Sequence, residues 1–177
     1  PHSLVPPLIS RIAVPEQWRF ILVMDTGDQG LSGLQEQSAF KTLPAFPASL
    51  AARICHLILM QALPAVAESD LPAFGDAIST LQAIVGDHFA VAQGGRYTNP
   101  AVANAIEALK NLGAHGTGQS SWGPTGFCMV ENAARAECLL RSLAEQGDTR
   151  KNLRYVITSA RNRGADCQIQ SSEGNGF

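Results

Sequence analysis

The residues with the clearest chemical potential lie between Leu112 and Val130, in the run LGAHGTGQSSWGPTGFCMV. Gly116, Gly118, Gly123 and Gly126 remove side chains from four positions, so the backbone can take positive φ and come close to a ligand. Successive N–H groups in such a turn can form an anion-binding nest. Ser120, Ser121 and Thr125 add hydroxyl donors, and Gln119 adds an amide. Phosphate or pyrophosphate oxygens suit this set. Trp122 among glycines is costly to expose unless it stacks on something. No G-K-[ST] follows the glycines and no strand-to-helix crossover begins at them, so neither a P-loop nor a dinucleotide fingerprint is present. A glycine-rich hairpin connection without a ligand remains the competing reading.

Three further candidates complete the set. Glu36 follows Gly33 by three residues in GLSGLQEQSAF, and a helix starting near Ser32 places it in the first turns. There it either complements the helix dipole or serves a site. Arg96 lies with Gln93 and Tyr97 in the loop AQGGRYTN, where it either grips a phosphate or carboxylate bidentately or is a solvated surface group. His115 is a possible ligand contact beside the glycines. His56 has no metal-type residue at i+4 and reads as a core or boundary histidine. Asp25, in the succession Asp25-Thr26-Gly27-Asp28, reads as a turn residue.

These residues must be held by the surrounding elements. Prolines at positions 1, 6, 7 and 15 keep the opening extended. Trp18 to Met24, WRFILVM, predicts a buried strand. Ala48 to Leu63 carries apolar residues on nearly every face and predicts a helix buried all round. Asp70 predicts an N-cap with Pro72 in the first turn, and Leu71, Phe74, Ile78, Leu81, Val85 and Phe89 form an apolar stripe behind it. Asn99 and Pro100 open another helix that Gly113 ends at C′. Phe127 to Val130 predicts a strand, Asn132 caps a helix that Gly147 ends, and Leu153 to Thr158 predicts the last strand. This order favours α+β: a largely antiparallel sheet with helices on one side, against a βαβ alternative with a parallel pair. One domain over 1–177 is expected, with a loosely held tail over 161–177.

Composition limits the functions available. The chain of 177 residues can bury around 70% of its unfolded surface without disulfides. Apolar residues make up 45% and charged residues 16%, so a partner is expected to cover part of the surface. Thirteen basic against fifteen acidic residues, with no basic stripe, argue against nucleic acid. Arg53, His56 and Gln61 interrupt the most apolar stretch, which argues against a membrane span. Cys55, Cys128, Cys138 and Cys167 are far apart and read as reduced packing residues, with no metal site, in a cytoplasmic protein.

GTGQSSWGPTGF, GLSGLQEQSAF and LPAFGDAISTLQAIVGDHFAVAQGGRY together resemble the C-terminal half of the β-ribofuranosylaminobenzene 5′-phosphate synthases. That family lies within the superfamily of galactokinase, homoserine, mevalonate and phosphomevalonate kinases (GHMP kinases). The resemblance implies a cytoplasmic synthase of methanopterin biosynthesis that joins phosphoribosyl pyrophosphate to 4-aminobenzoate and releases CO2 and pyrophosphate without ATP. The central run corresponds to the superfamily's third glycine-rich motif. Gly116, Gly118, Gln119, Ser120, Ser121, Trp122 and Gly123 would then line the phosphoribosyl pyrophosphate site. Mg²⁺ would enter through substrate pyrophosphate, with Glu36 as the candidate carboxylate. Small-molecule substrates and a homodimer are expected. The family chain is nearly twice as long, so an N-terminal domain with the main phosphate loop is expected to be missing and the fragment to be inactive alone. The alternatives are an ATP-dependent GHMP-type kinase and a non-catalytic interaction domain.

Overall fold

The computed structural model describes residues 7–27, 30, 33–146 and 152–167. Its frame is a four-stranded antiparallel sheet of order β2-β3-β1-β4. β1 (Arg19–Asp25) lies between β3 (Gly126–Val130) and β4 (Leu153–Thr158), and β2 (His115–Gln119) forms an edge. Every pairing is antiparallel, so the α+β reading holds and the parallel alternative falls.

Strand alternation sorts the side chains onto two faces. Ile21 and Val23 of β1, with Cys128 and Val130 of β3, join Val102, Ile106 and Leu109 of α5 (Pro100–Asn111) and Leu139 and Leu143 of α6 (Ala133–Glu145) in the main core. Phe20 and Met129 point to the other face and pack with Trp18, Val66, Leu71, Phe74 and Ile78. That second cluster is brought by α3 (Leu63–Glu68) and α4 (Leu71–Gln93), which reach the sheet around its β2 edge.

The predicted caps hold. Asp70 accepts from Ala73 N, Asn99 accepts from Ala101 N and Val102 N, and Asn132 accepts from Arg135 N. Gly113 follows α5 at φ 100 and donates to Lys110 O at 2.9 Å. α1 (Leu34–Thr42) begins after Gly33. The predicted helix start at Ser32, the Gly147 terminus and most of the expected loose tail lie outside the described residues.

The helix predicted over Ala48 to Leu63 is corrected in two respects. It is built as α2 (Ala48–Leu57), a π-helical segment (Ile58–Ala62) and α3. It is also not buried all round: α2 has no buried residue, and Leu59 and Met60 are 55% and 67% exposed. Apolar composition was legible here, but one side alone meets α4, where Gln61 Nε2 donates to Ala73 O at 3.0 Å. The run Ala48–Glu68 is long and apolar enough, by length and composition, to cross a membrane. His56 is exposed, which removes its core reading.

The cysteines are also corrected. Cys128 alone is buried, and Cys55, Cys138 and Cys167 are exposed free thiols. Burial pushes the Cys128 thiol up to about 12. A maleimide at pH 7 is therefore expected to label Cys55, Cys138 and Cys167 in the folded chain and to reach Cys128 only under denaturant, as read by intact-mass spectrometry. Labelling of Cys128 at the rate of the other three would contradict this packing.

Candidate functional site

β2 and β3 are joined by a hairpin over residues 120–125, closed by Ser120 N donating to Thr125 O at 2.9 Å and Gly123 N donating to Ser120 O at 3.0 Å. Ser121 within it has φ 51, a left-handed conformation that costs a non-glycine residue roughly 1–3 kcal/mol. The hairpin is held from below by the buried Gln119 side chain. Its Oε1 accepts from Thr98 N at 2.7 Å, and its Nε2 donates to Gln93 Oε1 at 3.2 Å and to Ser121 O at 3.1 Å. Thr98 Oγ1 donates to Trp122 O at 2.9 Å. The chain leading to α1 lies directly on this hairpin at Gly30, where a Cβ would come within 2.1 Å of Gly123 O.

Helix α4 covers the open edge of β2 with polar side chains. Ser79 Oγ accepts from Thr117 N, and Gln82 Oε1 accepts from Gln119 N, each at 3.0 Å. Edge N–H groups that would otherwise await another strand are thereby satisfied. The contact needs close approach: a Cβ on Gly75 would lie 2.6 Å from His115 Cβ and 2.7 Å from Gly116 N.

Between α1, α4 and the hairpin is a cavity of about 240 Å³ lined by Glu36, Phe40, Gln82, Phe89, Gln93, Ser121 and Trp122, among others. Trp122 is only 5% exposed and stands edge-on to two phenylalanines. Its centroid distances are 5.4 Å to Phe40 and 4.9 Å to Phe89. Trp122 Nε1 donates to Glu36 Oε1 at 3.0 Å. Glu36 occupies the first turn of α1, so dipole complementation and a place in the cavity wall coexist.

A second, polar groove of about 450 Å³ lies on the other side of Gln82, Arg96 and Gln119, which line both spaces. Arg53, Lys110, Tyr97, Ser79 and Thr117 also face it. Arg96 is engaged: its Nε and Nη2 each donate to one oxygen of Asp87 at 2.8 Å. That hydrogen bond holds the Asp87 carboxyl below its ordinary value and raises the Arg96 guanidinium. Burial pushes the Tyr97 phenol up, against a hydrogen bond with Thr117, so it stays protonated.

The expected site residues are thus only partly gathered. Gln119, Ser120, Ser121, Trp122 and Gly123 meet at the hairpin, with Glu36 against Trp122. Gly118 lines the polar groove. His115 and Gly116 lie toward the far end of β2, beyond a register shift between His115 and Gly118. There His115 Nε2 faces Glu131 Oε1 at 3.8 Å, and Gly116 packs on Met129 and Gly75. Asp25 is the turn residue expected, accepting from Gly27 N, and it also accepts from Asn99 Nδ2 at 2.9 Å. Phe40, Gln82 and Phe89 carry no functional signal in the sequence, whereas Gln93 stands beside Arg96 and Tyr97 in the loop read as a possible binding segment. Glu36 and Phe40 are four apart, as are Phe89 and Gln93, so each pair shares a helix face. Nothing local says that those faces meet. Among the described residues no cluster of three or more His, Cys, Asp or Glu could hold a metal.

Residues 62–149 match the family described as GHMP kinases C terminal. The beta-ribofuranosylphenol 5'-phosphate synthase of Methanothermobacter thermautotrophicus is 30% identical over 161 residues, 90% of this chain and 46% of that protein. The protein of the same name from Archaeoglobus fulgidus is 34% identical over 165 residues, 92% of this chain and 48% of its own length. The chain therefore spans about half the length of the curated relatives it matches. Among solved structures, L. major mevalonate kinase in complex with R-mevalonate aligns with a TM-score of 0.60 at 13% identity, covering 82% of this chain and 44% of the kinase. Mevalonate diphosphate decarboxylase from Staphylococcus aureus gives 0.57 at 13% identity over 84% of this chain and 46% of its own. At such identities the likeness is one of fold alone. The antiparallel sheet, the hairpin and the matched segment agree: residues 62–149 are a GHMP kinase C-terminal domain.

Proposed function

We propose that the full-length protein transfers a phosphoribosyl group from phosphoribosyl pyrophosphate to 4-aminobenzoate or its 4-hydroxy counterpart, with release of CO2 and pyrophosphate. The observation that carries this reading is the aromatic wall of Phe40, Phe89 and Trp122 beside a serine-bearing hairpin. A ring acceptor and a phosphorylated donor need these two surfaces side by side. The relatives' printed name supports the same class, since it denotes synthesis of a ribofuranosylphenol 5′-phosphate.

As pyrophosphate leaves, positive charge develops at ribose C1 and negative charge on the leaving oxygens, so electrostatic stabilisation is the main demand on the protein. Ser120 and Ser121 are exposed and supply hydroxyl donors at the hairpin. Arg53 and Lys110 bring positive charge to the polar groove, Lys110 beside Glu107 at 3.7 Å. Mg²⁺ enters as part of the substrate, carried on pyrophosphate oxygens.

Full-length protein supplied with phosphoribosyl pyrophosphate, Mg²⁺ and either ring acid is expected to yield CO2 and pyrophosphate in equal amounts. Ser120→Ala with Ser121→Ala is expected to lower kcat/KM for phosphoribosyl pyrophosphate by about 10²-fold. ATP consumption with an alcohol substrate, and no CO2, would select the kinase reading that the fold also accommodates. Neither reaction, in full-length protein, would leave the interaction domain.

A further inference from the structure

We infer that the cavity between α1 and α4 is the acceptor-ring subsite, in which Glu36 takes a hydrogen bond from the ring's para amino or hydroxyl group. This rests on the phosphoribosyl-transfer reading above.

The cavity, at about 240 Å³, is smaller than the ~300–1,000 Å³ of drug-sized sites and matches a monocyclic ligand. Its rings leave an edge-to-face geometry open: Phe40, Phe89 and Trp122 stand at 80–90° to one another with centroids 4.9–6.1 Å apart. A flat ring added to such a cluster gains stacking or edge contacts beyond its burial. Phe40 is 55% exposed and so has a side still to cover.

Polarity then orients the ring. Glu36 is the carboxylate of the cavity wall, and its Oε1 is already fixed by Trp122 Nε1 at 3.0 Å. That bond points the carboxylate along the aromatic wall and leaves Oε2 to accept from a ligand. An amino or hydroxyl group is the matching donor, and a carboxylate would be repelled. The acid end of the ring is therefore directed away from Glu36 and its Trp122 partner, toward the wall that Gln82 and Arg96 share with the polar groove.

This orientation has a chemical consequence. The ring carbon that carries the carboxylate is para to the group bound by Glu36. Withdrawing that group's proton toward Glu36 raises electron density at the para carbon, which is the atom that must attack ribose C1. A bond forms between this carbon and ribose C1 as the bond from ribose C1 to the pyrophosphate oxygen breaks, its electron pair leaving with pyrophosphate. The carbon–carboxylate bond then breaks, its pair restores the aromatic ring, and CO2 departs. The shared proton returns to the para group. No oxidant and no net proton are required, since the negative charge of the carboxylate leaves on pyrophosphate.

The test uses full-length protein and its Glu36→Gln and Phe89→Leu variants with 4-aminobenzoate, 4-hydroxybenzoate and unsubstituted benzoate. Glu36→Gln is expected to lower kcat/KM for the two para-substituted acids by about 10²-fold and to abolish their preference over benzoate, with KM for phosphoribosyl pyrophosphate unchanged. Phe89→Leu is expected to raise KM for every ring acid. Tryptophan-fluorescence quenching by ring acids that Trp122→Phe abolishes reports binding at Trp122 separately from turnover. If wild-type protein turns over and both variants leave the ring-acid parameters within twofold, the subsite is wrong and the reaction stands. A variant defect seen instead as a raised Mg²⁺ or phosphoribosyl pyrophosphate requirement also overturns it, by placing Glu36 on the phosphate side. If wild-type protein shows no turnover but binds ring acids through Glu36 and Phe89, the reaction is wrong and the subsite stands. Absence of both turnover and binding overturns both.

Discussion

Gly75→Ala is expected to destabilise the full-length protein by about 2 kcal/mol or more, although the same change inside an ordinary helix gains about 1 kcal/mol. Gly75 is buried within α4. The added Cβ would stand 2.6 Å from His115 Cβ and 2.7 Å from Gly116 N, and a strand backbone cannot rotate away as a side-chain tip can. Relief requires α4 to lift from β2. Lifting breaks the bonds from Thr117 N to Ser79 Oγ and from Gln119 N to Gln82 Oε1, each 3.0 Å long, and leaves edge N–H groups unpaired. Propensity and packing thus predict opposite signs, so one urea titration separates them. The control is Gly95→Ala, whose Cβ would meet nothing closer than 3.4 Å and is expected to change the midpoint little. A Gly75→Ala midpoint at or above the parent value would show that α4 and β2 are not in contact as described.

The same contact marks the boundary of what the sequence made legible. Signals that act within a few residues were read correctly: the caps at Asp70, Asn99 and Asn132, the Gly113 terminus, and the last strand at Leu153–Thr158. Each depends on a side chain meeting its own neighbouring backbone. The apolar stripe of α4 was also visible, but the face that meets β2 is a different one, formed by Gly75, Ser79 and Gln82. Small and polar residues at helical spacing give no hydrophobic signal, because their purpose is close approach and hydrogen bonding to a strand edge. The all-round burial expected of the helix over Ala48 to Leu63 failed for the converse reason: apolar composition reports what could be buried, and only a neighbour decides what is.

The candidate site divides in the same way. The hairpin residues from Gln119 to Gly123 are contiguous, so a glycine- and hydroxyl-rich run could be recognised as one unit. The opposite wall comes from Glu36 and Phe40 on one helix and Phe89 and Gln93 on another, and the bond between Trp122 and Glu36 spans 86 positions. No periodicity encodes that separation. Trp122 gave a hint, as a tryptophan in need of a partner, and its partners are two phenylalanine rings and a carboxylate.

Gln119→Leu is expected to lower stability by roughly 2–4 kcal/mol and phosphoribosyl transfer by at least about tenfold, although leucine has a similar volume. The family resemblance implies that Gln119 lines the phosphoribosyl pyrophosphate site, yet its amide is already engaged inside the protein. Oε1 holds Thr98 N, and Nε2 holds Gln93 Oε1 and Ser121 O. Leucine would leave a buried N–H unpaired at Thr98 and remove the donor that fixes the left-handed turn at Ser121. Because Ser121 precedes Trp122, loosening that turn moves both the hydroxyl and the indole, and with the indole goes the bond that orients Glu36. Gln119→Glu separates support from ligand contact. It keeps an acceptor for Thr98 N but turns a buried carboxylate oxygen toward the Gln93 and Ser121 oxygens, so a loss of stability at least as large as that of Gln119→Leu is expected. If instead Gln119→Leu unfolds at the parent midpoint while KM for phosphoribosyl pyrophosphate rises, Gln119 acts on the ligand directly, and the hairpin is held by something other than this amide.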